Sequence, residues 1–142
     1  MLTEISSDKL LPFIDIAFSG DEDLFTQWHI NSGTQQECIL HTYHTILDTE
    51  KLMPITCYHM GEIGYTVIIP DKHLLYSFGI NKEHRNKETL KNWFDNIVNI
   101  LGTFDCILWS KNKRAINHLL KQGMTIKNKI EVYTILTYTS CQ

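Results

Sequence analysis

A chain of 142 residues with 43% hydrophobic content is long enough for one domain with a real core, and no linker or repeat divides it. Lys and Arg number 13 against 16 Asp and Glu, a net charge of -3, which excludes the broad basic footprint of a nucleic-acid binder. No apolar run is long enough to span a bilayer, and Glu4 and Asp8 break up the first apolar residues. The expectation is therefore a soluble intracellular protein with neither membrane nor nucleic acid as partner.

In chain order, residues 2–5 read as a short first strand, with Ser6 or Ser7 capping the next segment. Pro12 sits near the start of a short helix over 10–18 that Gly20 ends. Residues 21–30 read as a second short helix, and Asn31, Ser32 and Gly33 as a turn. Thr34, Gln35, Gln36 and Glu37 match a capping box, which predicts a helix from there to about Leu47. On it Glu37, His41, His44 and Asp48 share one stripe, because steps of four, three and four residues return to nearly the same angle. Two imidazoles and two carboxylates so arranged can hold zinc or iron. Ile39, Tyr43, Ile46 and Leu47 already supply the apolar face, so the simpler reading turns the stripe to water and assigns no metal.

Residues 55–60 and 65–69 flank Gly61, Glu62, Ile63 and Gly64 as a hairpin, and Pro70, Asp71 and Lys72 turn the chain into a third antiparallel strand. That strand holds Leu74, Leu75, Tyr76, Phe78 and Ile80, too densely apolar for a strand with one wet face. Gly79 permits a bulge or a ligand's close approach, or is simply a packing glycine. Asn81 to Lys87 is a polar turn in which Lys82, His84, Arg85 and Lys87 are or can become cationic. Asn86 is the natural N-cap of a long amphipathic helix whose face is Leu90, Trp93, Phe94, Ile97, Val98 and Leu101, stopped by Gly102. Cys106, Ile107, Leu108 and Trp109 form a second core strand, and Asn112 caps a helix with Ala115, Ile116, Leu119 and Leu120 buried. Gly123 ends that helix, Met124 re-enters the core, and residues 125–130 and 131–138 are rich in strand formers. Cys38, Cys57, Cys106 and Cys141 show no spacing for zinc or a redox pair, and Cys57 and Cys106, in predicted strands, read as small core residues in a reducing compartment.

The run of apolar strand, Asn112, Ala115, Gly123 and Met124 resembles the asparagine, alanine and glycine-aromatic signature near the C-terminus of GNAT acetyltransferases. Ile80, then Arg85, then a helix is similar to that family's strand leading into its acetyl-CoA pyrophosphate loop. The likeness covers residues 55–138, and small GNAT-like internal virion proteins of podophages are similar in size and in the same run. The resemblance implies an α/β (α+β) domain spanning 1–142: a mixed, mostly antiparallel twisted sheet of six to seven strands, helices on both faces, and a split between two core parallel strands. It implies acetyl-CoA as cofactor, an amine acceptor, and cofactor contacts from Phe78, Ile80, His84, Arg85, Asn86, Lys87 and Asn112. Tyr76, Ser77 and His73 are the polar candidates for a general base on the central strand. Trp28, His29, His41 or His44 would contact the acceptor.

Two departures bear on activity. The loop positions at which the family has glycine fall on Glu88 and Leu90, and the family's proton-donating tyrosine falls on Leu119. Two functions are consistent with this pattern: an N-acetyltransferase that moves an acetyl group from acetyl-CoA to a primary amine, or a catalytically silent GNAT-fold phage protein with a protein partner, retained as a virion or interaction component. A third and weaker alternative is an unrelated α/β binding domain. In a phage the location would be the host cytoplasm or the virion.

Overall fold

The computed structural model describes residues 2–21 and 34–140. Trp28, His29, Cys141, the turn expected at Asn31 to Gly33 and all but the first residue of the helix expected over 21–30 lie outside them. The described elements, in order, are β1 (Thr3–Ile5), α1 (Leu11–Phe18), α2 (Gln35–Leu52), β2 (Thr56–His59), β3 (Gly64–Ile69), β4 (Leu74–Ile80), α3 (Lys87–Leu101), β5 (Phe104–Trp109), α4 (Lys113–Lys121), β6 (Thr125–Ile130) and β7 (Tyr133–Tyr138). Short 3-10 turns join several of them. The strands make one mixed sheet in the order β1-β2-β3-β4-β5-β7-β6, antiparallel throughout except where β4 meets β5.

The sheet has helices on both faces because its central strands are apolar on both. On β3, Tyr65 and Val67 face α1 and α2, where they join Leu10, Ile14, Ala17, Phe18, Ile39 and Ile46. Thr66 and Ile68 face the other way; Ile68 packs with Trp93, Phe94 and Ile97 of α3 and Leu119 of α4, and Thr66 accepts a 2.9 Å hydrogen bond from the fully buried Trp93 indole. Burying each large apolar side chain of this second cluster contributes about 2–3 kcal/mol.

Local chemistry sets most boundaries. Thr34, Asn86 and Asn112 each accept a backbone N–H of the following turn through the side chain and so start α2, α3 and α4. Ser6 caps by position only, and Ser7 bonds Glu50 instead. Helix α2 runs to Leu52, a turn past the expected Leu47, because nothing between Asp48 and Lys51 stops it. Pro54 does, by excluding its predecessor from helical backbone. Gly79 is tightly packed, since a Cβ there would stand 2.8 Å from Ala17 Cβ and 2.9 Å from the Tyr65 ring, and it also lines the cleft between β4 and β5.

Candidate functional site

The parallel pair β4 and β5 is matched only at Leu74 with Asp105 and Leu75 with Cys106. Past that point β5 stays in register with β7 along all six of its residues, and β4 stays with β3. The two strands therefore part, leaving facing backbone edges that need hydrogen-bond partners from water or a ligand. A bulge sharpens the separation. Val67 pairs with Ser77 while Ile68 pairs with Leu75, so Tyr76 is the extra residue and the strand bends there.

The gap opens into a cleft of about 1160 Å³. Phe78, Ile80, Leu90, Leu108, Asn112 and Ala115 line its α3/α4 side; Glu37, His41, Thr45, Tyr76, Trp109 and Tyr133 line the side facing α2. Of the residues singled out from sequence, Tyr76, Ser77, Phe78, Ile80, Arg85, Asn112 and His41 come together here. His73, His84, Asn86, Lys87 and His44 stand outside the lining. His73 lies at the opposite, paired end of β4 in left-handed backbone, its ring 3.3 Å from the Leu101 carbonyl. The hydroxyls of Tyr76 and Ser77 already have protein partners, Thr49 at 2.7 Å and Tyr65 at 2.8 Å.

The cationic turn after β4 is folded upon itself. Amides of Glu83 and Thr89 donate to the side chains of Asn81 and Asn86. Those of His84, Arg85, Asn86 and Leu90 donate to turn carbonyls. A phosphate-cradling nest needs several such amides unclaimed, and few remain. Arg85 is also engaged: its Nε donates to the Ile80 carbonyl at 2.9 Å and its guanidinium binds the carboxylate of Asp21. Arg114 reaches the same carboxylate at 3.1 and 3.3 Å. Asp21 is 3% exposed. Burial alone would raise its pKa, but the two arginines outweigh that and hold the carboxyl below its usual range.

Sequence reasoning missed Asp21, Arg114, His118 and Lys121. The last three lie on α4 and line the cleft. Among the described residues His118 Nε2 is a buried polar atom without a hydrogen-bond partner. Burial first, then Lys121 and Arg85, lowers the His118 pKa. Glu37, His41, His44 and Asp48 are all exposed, and no three metal-ligating side chains converge among the described residues. Leu119, at the position of the missing tyrosine, is fully buried in the core. Among the described residues no helix is long and apolar enough to cross a membrane.

No family model matches the sequence, and neither does any curated protein. Solved structures do match in fold. An acetyltransferase from Thermus thermophilus superposes with a TM-score of 0.68 at 13% identity, over 97% of this chain and 95% of that one. The PaiA N-acetyltransferase from Thermoplasma acidophilum, solved in complex with coenzyme A, gives 0.66 at 12% identity over 98% of both chains. A probable acetyltransferase of the GNAT family from Chromobacterium violaceum gives 0.65 at 8% identity, over 97% and 81%. The fold is that of the GNAT acetyltransferases, with the mixed sheet and single parallel pair expected from the sequence.

Proposed function

We propose that this chain, having the GNAT fold, binds acetyl-CoA in the cleft between β4 and β5 and transfers its acetyl group to a primary amine. One observation carries the reading: the parallel strands lose their pairing after Leu75 and Cys106, and the cleft stays open beyond. Glu88 is exposed and does not fill it.

The residues present fit such a cofactor. An extended arm bearing amides can satisfy backbone edges that lack a partner strand. The Asn112 side chain and the apolar Phe78, Ile80 and Leu90 border that path, and the unpartnered His118 Nε2 suits a site that a ligand completes. Bound acetyl-CoA supplies an acyl carbon activated as a thioester. On the α2 side, Glu37 attracts the protonated amine and His41 takes up its proton before attack. Tyr76 and Ser77, bonded to Thr49 and Tyr65, hold the bulge and position the wall. Leu119 has no proton to give, so the second proton that the nitrogen must lose after attack would have to pass through water to the coenzyme A thiolate.

The test combines binding and turnover. Acetyl-CoA at 100 times its dissociation constant should add about 2.7 kcal/mol of stability. Thiol release with a panel of primary amines should fall at least about tenfold in His41→Ala, with acetyl-CoA affinity unchanged. No thermal shift at millimolar acetyl-CoA would overturn the proposal.

A second reading has its own support. Arg85 is committed to Asp21, most turn amides are spent, and the acid position is leucine. A silent GNAT-fold interaction component, of the kind found in podophage virions, accounts for all three. Absence of both binding and turnover would favour it.

A further inference from the structure

Any ligand with a phosphate group in this cleft needs cations and donors; in the turn after β4, Arg85 is engaged by Asp21, most amides are claimed, and Lys82, His84 and Lys87 stand outside the cleft's lining. Helix α4 presents a different set. Arg114, His118 and Lys121 are spaced at steps of four and three residues, which confines them to a stripe about 60° wide, and all three line the cleft.

We infer that the anionic end of the ligand, a phosphate or pyrophosphate ester, is bound by His118 and Lys121 of α4 with Arg114 beside them, and not by the turn between β4 and α3. The inference deepens the acetyl-CoA reading and rests on it for the ligand's identity. A competing account makes His118 and Lys121 simple complements to the negative C-terminal end of α4, whose last turn they occupy. Lys121 fits that account; His118 does not. A histidine serving the helix end should be charged and solvated. This one has a buried ring nitrogen without a partner among the described residues, and burial together with Lys121 and Arg85 favours its neutral form. An arriving phosphate supplies the negative charge that balances Lys121, and the missing partner once the His118 ring turns its buried Nε2 toward the cleft. Asp21 does the same service for Arg85 and Arg114 from within the protein.

The experiment is calorimetry on the full chain with three probes: acetyl-CoA, S-acetylpantetheine, which lacks phosphate, and inorganic pyrophosphate. Lys121→Gln and His118→Gln should each weaken acetyl-CoA and pyrophosphate about tenfold and leave S-acetylpantetheine within about twofold. Lys87→Gln, at the start of α3, should change none of them by more than about twofold. Thermal melts check each variant, and the exposed Lys121 decides the matter if His118→Gln is destabilised. The inference is overturned if Lys87→Gln carries the loss, if Lys121→Gln binds acetyl-CoA like the parent, or if S-acetylpantetheine weakens equally. Pyrophosphate binding that is lost in Lys121→Gln, in a chain that ignores acetyl-CoA, would keep the α4 site and remove the acetyl-CoA reading. A parent chain that binds neither probe would remove both.

Discussion

The Arg85 guanidinium is hydrogen-bonded to the carboxylate of Asp21, 64 positions earlier in the chain, and the same carboxylate accepts from Arg114. One nearly buried acid thus ties the turn after β4 to the first turn of α4. Two arginines that could meet an incoming anion are instead held by an internal one. That accounts for a basic turn that keeps its charges but offers few unclaimed donors.

Removing the carboxylate leaves two cations unbalanced. Asp21→Asn should cost about 2 kcal/mol at neutral pH, less than for a fully buried pair because Arg85 and Arg114 keep some contact with water. The pH dependence has a definite sign. Asp21 has a folded pKa below its ordinary 3.8, so its stabilisation is complete above that value and disappears as pH falls through the lower, folded one. Denaturation of both proteins between pH 7 and 3 should give parallel curves that converge only at the acid end. Convergence already at pH 6 would contradict the ion-pair account.

Gly79→Ala tests whether that glycine serves packing or a ligand. The added methyl would press on Ala17 and on the rings of Tyr65 and Phe18, so a loss of about 1–3 kcal/mol is expected. Acetyl-CoA affinity should change much less than stability. A stable variant that fails to bind would mean that Gly79, which lines the cleft, also serves the ligand.

Leu119→Tyr asks whether the missing acid can be restored. Leu119 faces the cluster of Trp93, Phe94 and Met124 and is outside the cleft's lining. The larger ring should overpack the core, lower stability by about 1–3 kcal/mol and leave turnover no higher than in the parent. A gain in turnover would mean that position 119 reaches the reacting atoms.

What the sequence made readable was what local chemistry decides. Asn86 and Asn112 followed by helical periodicity placed α3 and α4, and the dense apolar run around Leu75 placed the central strand β4. The end of α2 is harder to read, because its stop, Pro54, lies well beyond the last residue of the apolar period. The bulge at Tyr76 has no local mark, since it depends on how β3 and β4 register. Asp21 was out of reach for another reason: nothing near Gly20 indicates partners 64 and 93 residues away. The α4 stripe was legible, since the helical spacing that links Glu37 and His41 also links Arg114, His118 and Lys121. The apolar face of the same helix gives the stronger signal and masks it.

The most direct test of the central claim is amide hydrogen exchange with and without 1000-fold excess of acetyl-CoA over its dissociation constant, about 4.1 kcal/mol of added stability. The account predicts slowed exchange concentrated in the second half of β4 and at the start of α4, on either side of the split, beyond any uniform slowing. Binding with protection confined to other elements, or no protection at all, would contradict it.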